Sequence, residues 1–418
     1  MSKNPRRPKI GFFGVFGAGN LGNECTLEAL LYNLRKFMPT AEVVGICTGP
    51  EETASRYHVS AVAIRESSLP PLSSRAMRIV RRIAIGIPIE ISRWVKTVGR
   101  LRGVDMLVMT GTGMLGDFGI SPFDLHYDIL RWSVAAKLCG CKVLFLSVGA
   151  GPIRHPLSRR FVKAALALAD YRSYRDTFSR KYLESIGFDT TGDNVYPDLA
   201  FSLPRAMIPV RRCRGGQGGV IGLGVMTYYS KRGTLEDDER LYNVYVEKVA
   251  SFMSRLLDRK YTIRLLIGDV TYDRRVREDL RRLLEGRGVQ YPGKIIDEPA
   301  SSFEDVLSQL STTDIVVASR FHNVLLGLMV TKLVVAVSYH EKVEALITEI
   351  GLGEFCQDIE HIDIEGLVGQ ITRLEEHSEN IRSEIDQRIE EYRKALDEQY
   401  DRIFGGGIAK AAVPACAG

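Results

Sequence analysis

The 418-residue sequence has no long apolar run, so we expect neither a membrane span nor a secretory leader within it. The stretch from Val324 to Val330 is followed by a threonine and a lysine, so it is too short to cross a bilayer. The run from Ile10 to Phe16 follows a basic N-terminus, but it is also short and is broken by glycines, unlike a signal peptide.

The cysteines lack any regular arrangement. There are seven, an odd number, and no C-x-x-C pair occurs. This argues against a disulfide scaffold and a zinc site, and it fits a reducing cytoplasm. The net charge of +5 is small, and the sequence has no basic motif studded with aromatic residues. We therefore expect no metal and no nucleic-acid partner.

One segment is short of acids. Between Arg75 and Arg102 the chain carries eight basic residues and a single acid, Glu90, and apolar residues interleave with them. Such a stretch can lie on an anionic membrane surface, and it can equally be the solvated face of a helix over the N-terminal core. The expected location is cytoplasmic, with a peripheral contact to the inner membrane through residues 75–102 as one alternative.

The chain is too long for one ordinary core, so two domains are expected. Buried strands alternate with helices in the first half, and the continuous apolar strands 104–109 and 142–148 are typical of parallel sheets. The same alternation restarts at residue 220. The sequence thus predicts an α/β fold with two Rossmann-like domains facing a cleft. The predicted parts are an N-terminal domain (1–204), a linker (205–219), a C-terminal domain (220–366), terminal helices (367–403) and a disordered tail (404–418).

A polar cluster in the second half is the strongest functional signal. Ser319, Arg320 and His322 directly follow an apolar strand at 314–318, and Lys342 follows the next strand at 333–337. In open α/β sheets, ligands bind beyond the carboxyl ends of the strands. Arginine offers a fixed fork of donors to phosphate or carboxylate, and histidine can transfer a proton near neutral pH. The cluster therefore predicts a site for an anionic substrate that must also be protonated.

Glycine-rich turns follow three strands of the first half. The first, residues 17–22, contains Gly19, Asn20 and Gly22, and Asn23 and Glu24 open the helix behind it. It matches a dinucleotide fingerprint, but the second strand ends in Ile-Cys-Thr without the ribose-binding acid. A turn that lines a ligand groove and a purely structural turn both remain open, and Asn23 and Glu24 could instead cap the helix.

The other two turns contain Gly111 and Gly113 in one case and residues 147–152 in the other. Three small-residue loops at strand ends favour a ligand groove. Farther along, Asp176 is placed to cap the helix that holds Ser179, and Arg175 is placed to pair with a carboxylate.

These blocks, in this order, resemble the polysaccharide pyruvyl transferase family, in its bacterial exopolysaccharide branch. The matching pieces are residues 17–24, 111–115, 149–152, 175–176 with 197–201, 319–322 and 338–342. The resemblance implies a fold similar to two-domain glycosyltransferases of the B type, with acceptor and donor sides in the first and second domains. It also implies transfer of the enolpyruvyl unit of phosphoenolpyruvate to a saccharide, which can be lipid-linked, to give a pyruvate ketal. No metal or organic cofactor is implied.

The resemblance assigns roles to the cluster. Arg320 binds the phosphate or carboxylate of the donor, His322 acts as general acid/base or binds the donor, and Lys342 is a second anion contact. Asn23 stands where the family usually has aspartate. Two alternatives stay open: a nucleotide-sugar glycosyltransferase on the same fold, and a non-catalytic member that binds a glycan.

Overall fold

The computed structural model describes residues 6–66, 87–116, 120–210, 218–228, 235–288 and 293–406. The chain forms two compact units. The first comprises Met1–Ala18, Thr26–Leu199 and Leu396–Gly418, and the second comprises Gly19–Cys25 and Ala200–Ala395.

The first unit is built on a parallel sheet. Its seven strands have the order β3-β2-β1-β4-β5-β6-β7 in the described part of the chain. The strands are β1 (Lys9–Gly14), β2 (Glu42–Cys47), β3 (Ser60–Ala63), β4 (Met106–Met109), β5 (Lys142–Val148), β6 (Tyr171–Tyr174) and β7 (Asn194–Val195). The intervening helices are α1 (Leu21–Phe37), α2 (Pro50–Tyr57), α3 (Ile87–Leu101), α4 (Leu125–Leu138), α5 (Pro156–Ala167) and α6 (Thr177–Ser185).

The second unit repeats this architecture. Its six parallel strands have the order β10-β9-β8-β11-β12-β13 among the described residues. They are β8 (Val220–Gly224), β9 (Thr262–Leu266), β10 (Ile295–Ile296), β11 (Ile315–Ala318), β12 (Leu333–Ser338) and β13 (Cys356–Asp358). The helices are α7 (Leu235–Asp258), α8 (Arg274–Gly286), α9 (Phe303–Ser311), α10 (Phe321–Met329), α11 (Glu341–Glu349), α12 (Ile364–Glu376) and α13 (Ser378–Phe404).

The predicted α/β fold with two parallel sheets is confirmed. All residues of β4, β11 and β12 are buried, because helices cover both faces of a parallel sheet. The sequence analysis did not identify β3 and β13. Both are short edge strands that bury little, so they lack a continuous apolar run.

Several predicted boundaries concern residues that the structure describes only in part. Residues 211–217 of the predicted linker and 407–418 of the predicted tail lie outside the described residues, as do residues 75–86 of the basic segment. The remainder of that segment forms α3. The predicted terminal helical region is two helices, α12 and α13.

A capping box fixes the helix that leads into β11. The Ser302 hydroxyl accepts a hydrogen bond from the Asp305 N–H at 3.1 Å, and the Asp305 carboxylate accepts one from the Ser302 N–H at 3.1 Å. At the other end of α9, the buried Lys332 ammonium donates to the carbonyls of Ser311 and Thr313. Both ends of α9 are thus satisfied, which holds the start of β11 in place.

The end of α13 returns to the first unit through a buried amide. Gln399 is fully buried; its Nε2 donates to the Ser173 hydroxyl at 2.6 Å, and its Oε1 accepts from the Ser147 hydroxyl at 3.2 Å. Ser147 has φ of +45°, a conformation that non-glycine residues rarely adopt. The amide therefore connects β5 and β6 at a point where the β5 backbone is unusual.

We expect Gln399→Leu to lower the free energy of unfolding by ~1–3 kcal/mol, because it leaves two buried hydroxyls without their partner. Gln387→Leu on the same helix is the control, since the Gln387 side chain is exposed and its hydrogen bond in the described part of the chain is to Glu391. Its expected effect is within ~0.5 kcal/mol. Calorimetric unfolding of both variants tests this, and equal effects would contradict it.

Candidate functional site

Arg320 and His322 lie where the sequence placed them, at the carboxyl end of β11 in the second unit. Arg320 is the last non-helical residue before α10, and its side chain does not cap that helix. The backbone N–H groups of the first turn of α10 therefore point to the same edge of the sheet as the Arg320 backbone. Helix N-termini of this kind favour anions.

The Arg320 guanidinium is held by Asp273, a residue that the sequence analysis missed. Arg320 Nε lies 3.2 Å and 3.1 Å from the two carboxylate oxygens, and Nη2 also donates to Oδ1. Burial by itself lowers the pKa of Arg320, but the charge and hydrogen bonds of Asp273 outweigh burial and raise that pKa above its ordinary value. The guanidinium is therefore a permanent cation.

Asp273 also binds the backbone of two neighbouring loops. Its carboxylate accepts hydrogen bonds from the N–H groups of Gly268 at 3.1 Å, Asp269 at 3.0 Å and Thr227 at 3.3 Å. Thr227 follows β8, and Gly268 and Asp269 follow β9. One fully buried carboxylate thus connects the loops after β8, β9 and β11.

The glycine turn at residues 19–22 belongs to this same unit. The Leu21 N–H donates to the Gly268 carbonyl at 3.2 Å, and the Val270 N–H donates to the Gly19 carbonyl at 3.1 Å. These bonds place Gly22 against the imidazole of His322. A Cβ added at Gly22 would lie only 1.8–2.4 Å from three ring atoms, so any larger residue there would have to displace the ring.

Asn20 and Asp269 form an isolated antiparallel bridge beside this turn. The Asn20 side chain accepts a hydrogen bond from the Asn23 N–H at 3.2 Å, so Asn20 caps the start of α1. Glu24 is buried in the first turn of that helix. Burial raises the pKa of Asp269, against the opposing effects of the Tyr272 N–H and of Arg320.

The other predicted residues of the second unit have identifiable neighbours. The Ser319 hydroxyl lies 3.4 Å from the hydroxyl of the buried Tyr245, whose pKa burial raises. Lys342 Nζ lies 5.0 Å from the centre of the Tyr339 ring and 5.9 Å from that of Phe321, so it makes cation–π contacts. His340 caps α11 by accepting the Lys342 N–H at 3.2 Å.

Asn323 is a further residue that the sequence analysis did not single out. Its side chain is 1% exposed, and neither the amide nitrogen nor the amide oxygen has a hydrogen-bond partner in the described part of the chain. A Cβ added at Gly224 would lie 2.9 Å from that nitrogen, and one at Gly268 would lie 3.2 Å from that oxygen. The amide is therefore enclosed between the ends of β8 and β9, next to Arg320.

Gly111 and Gly113 belong to the first unit, whereas Arg320 and His322 belong to the second. A Cβ at Gly111 would lie 2.9 Å from the Leu146 carbonyl oxygen. The backbone of β5 therefore packs too closely against this position for a side chain. Arg175 pairs with Asp176 and Asp198, each at 3.3 Å, and Asp176 caps α6 by accepting the Ser179 N–H at 2.6 Å. The expected cap and ion pair are both confirmed.

One signal could have revealed Asp273 and Asp269. Gly268 and Asp269 follow the apolar run of β9, so by the carboxyl-end rule this loop should be considered as a candidate site in the same way as Arg320. The described residues contain no group of three His, Cys, Asp or Glu side chains that could hold a metal ion. None of the described helices is both long and apolar enough to cross a membrane.

Solved structures share the fold of this chain at low sequence identity. A glycosyltransferase from Rickettsia africae has a TM-score of 0.58 at 11% identity, with 96% of this chain and 100% of that chain covered. A putative UDP-N-acetylglucosamine 2-epimerase from Listeria monocytogenes has a TM-score of 0.61 at 12% identity, with 97% of both chains covered. Anabaena Alr3699/HepE, solved with UDP and glucose, has a TM-score of 0.55 at 13% identity, with 94% and 99% covered.

These likenesses establish a B-type glycosyltransferase fold and nothing about the substrate. No curated protein sequence matches the chain significantly. The sequence profile described as polysaccharide pyruvyl transferase, however, matches residues 20–341, most of the chain, including Gly22, Arg320 and His322. The chain belongs to the polysaccharide pyruvyl transferase family and is a transferase.

Proposed function

We propose that this transferase moves the enolpyruvyl unit of phosphoenolpyruvate onto two hydroxyls of a saccharide, in exopolysaccharide or cell-envelope glycan synthesis. The observation that carries the proposal is the combination of a fixed cation, Arg320, and a histidine on the first turn of α10 at the carboxyl edge of the sheet. Phosphoenolpyruvate carries a phosphate and a carboxylate, and its methylene carbon must accept a proton.

The reaction balances without a metal or organic cofactor, and none is part of this proposal. Protonation of the methylene carbon makes an oxocarbenium-like centre at the carbon that bears the phosphate. One saccharide hydroxyl adds to that centre and loses its proton, and the phosphate leaves. The second hydroxyl closes the ketal and also loses its proton. Of the two hydroxyl protons, one replaces the proton delivered to the methylene carbon and the other leaves with the phosphate.

Arg320 and the first turn of α10 suit the anionic groups of this donor. His322 suits the proton transfer, because histidine is the side chain that ordinarily gains and loses a proton near neutral pH. Its ring is fixed between Gly22 and the edge of Phe321, whose ring centre lies 5.2 Å away. A general acid or base held in place in this way contributes ~10²–10⁴ in rate. Lys342 is a second candidate contact for an anion.

The nucleotide-sugar alternative rests on the fold, since Anabaena Alr3699/HepE was solved with UDP and glucose. At 13% identity that likeness concerns the fold alone. The donor distinguishes the two activities. Purified protein should release inorganic phosphate from phosphoenolpyruvate with a member of a glycan panel and add a ketal mass to that glycan. Release of UDP from a UDP-sugar, with no phosphate release, would support the alternative.

His322→Gln should lower this turnover by ~10²–10⁴ with little change in thermal stability, because glutamine can hydrogen-bond but cannot transfer the proton. His361→Gln is the matched control, since the His361 side chain is 83% exposed and, among the described residues, pairs only with Asp358. A large loss of stability with normal specific activity would instead identify His322 as a structural core residue.

Gly22→Ala should lower turnover by at least about tenfold, because the new methyl group must displace the His322 ring from its position. Gly369→Ala is the control, since a Cβ at Gly369, in the same unit, meets nothing within 4 Å. Steady-state rates and melting temperatures of both variants test this. Equal activity of the two variants would show that the position of His322 against Gly22 is irrelevant to turnover.

We also propose that α3 contacts an anionic membrane surface. An apolar stripe on this helix, formed by Ile87, Ile91 and Val95, is 55–66% exposed at a spacing of four residues. The segment 75–102 carries eight cations against one acid, which suits anionic lipid. Within α3 the cations Lys96 and Arg100 bond to Glu66, which offsets part of their charge. Insertion of the apolar stripe therefore contributes more to membrane binding than the attraction of these two cations to lipid.

Replacing all three stripe residues with serine should reduce co-sedimentation with anionic vesicles severalfold, because the apolar insertion is lost. The control replaces three other exposed apolar residues with serine: Leu138, Val210 and Val244. The intact protein should bind vesicles at low salt and less at high salt. If the intact protein does not bind vesicles at low salt, or if both triple variants lose the same amount of binding, the membrane contact is wrong. The segment is then the solvated face of a helix.

A further inference from the structure

We infer that Asp273 is a positioning residue that fixes Arg320 for end-on binding of the donor anion. The inference rests on the proposed function, since it assigns the way in which Arg320 meets an anionic group. It starts from the number of donors that a guanidinium offers and from those that Asp273 already occupies.

A guanidinium has five N–H donors. Asp273 takes the side edge of Arg320, which consists of the Nε–H and one hydrogen of Nη2. Three hydrogens remain, two on Nη1 and one on Nη2. One hydrogen from each of these nitrogens forms the end edge of the fork, and the other Nη1 hydrogen points back toward Cδ. Arg320 Nη1 has no hydrogen-bond partner among the described residues, and the side chain keeps 19% of its surface exposed. The free edge matches two oxygens of a carboxylate or phosphate.

The carboxylate of Asp273 cannot easily turn away from Arg320. It also accepts three backbone N–H groups, from Thr227, Gly268 and Asp269, and it is completely buried. Its orientation is therefore set by the loops after β8 and β9 rather than by Arg320. The direction of the Arg320 fork follows from that orientation, so the loops of two other strands determine where the anion binds.

The aliphatic part of Arg320 is confined as well. A Cβ added at Gly268 would lie 3.2 Å from both Cβ and Cγ of Arg320, so the β9 loop contacts the base of the side chain. Held at its base by Gly268 and along its side edge by Asp273, the guanidinium has one edge left for substrate. This arrangement predicts directional recognition of one anionic group.

The test compares Asp273→Asn with Asp314→Asn in the full-length protein. Asp314 is the matched control because it accepts a hydrogen bond from the Val220 N–H at 2.8 Å, at the opposite end of β11, and pairs with no arginine within the described residues. The first readout is the Nε–Hε resonance of Arg320 in an arginine-labelled sample, identified by its loss in Arg320→Lys. We expect a signal protected from solvent exchange in the wild type and in Asp314→Asn, and loss of that protection in Asp273→Asn.

The second readout is steady-state kinetics with phosphoenolpyruvate. Asp273→Asn should raise KM by at least about tenfold while kcat falls by less than about threefold, because the anion contact exists equally in bound substrate and transition state. Asp314→Asn should leave KM within about twofold of wild type. A conservative variant, Asp273→Glu, keeps the charge one methylene farther out; it should raise KM while keeping the pairing, and it replaces Asp273→Asn if that variant fails to fold.

The two readouts separate this inference from the proposed function. If the wild type consumes no phosphoenolpyruvate, the proposed function fails, and the resonance alone, with inorganic phosphate as the added anion, decides the positioning role. A protected Arg320 signal and an unchanged KM in Asp273→Asn would overturn the inference. The same KM increase in Asp314→Asn at equal loss of melting temperature would also overturn it, since Asp273 would then be only structural.

Discussion

The candidate site depends on one buried carboxylate, that of Asp273. It accepts hydrogen bonds from backbone N–H groups in the loops after β8 and β9. It also accepts hydrogen bonds from the side edge of Arg320, which lies in the loop after β11. Removing a buried charged group leaves several donors unsatisfied at once, which costs far more than breaking one surface pair. The carboxyl edge of the second sheet is thus held together by the same group that directs the cation of the site.

Sequence reasoning predicted the elements of this site better than its connections. The apolar run of β11 and the polar residues behind it are local patterns, so Arg320 and His322 were found. The partner of Arg320 was not, because Asp273 lies 47 positions away and only the parallel strand order brings the two loops together. Edge strands such as β13 were missed for a related reason: they bury too little to require an apolar pattern.

The glycine turn shows how a motif can be found from the sequence while one of its structural requirements is missed. Its spacing suggested glycines that admit a phosphate, or else glycines that form a tight turn. The structure gives Gly22 a different requirement, since its missing side chain makes room for the His322 ring. His322 lies 300 positions farther along the chain, so the sequence around Gly22 could not indicate this requirement. Gly19, with φ of +78°, fits the tight-turn interpretation.

The charge balance of the site has a consequence for how it selects its ligand. Asp273 cancels the formal charge of Arg320, and Asp269 lies in the adjoining loop, so long-range attraction of anions is weak there. A buried ion pair of this kind contributes little net stability after desolvation. What it provides is a donor edge with a fixed direction, which is strong only for an anion of matching geometry at short range. Selection by direction rather than by net charge suits a donor whose phosphate and carboxylate must be told apart before one of them leaves.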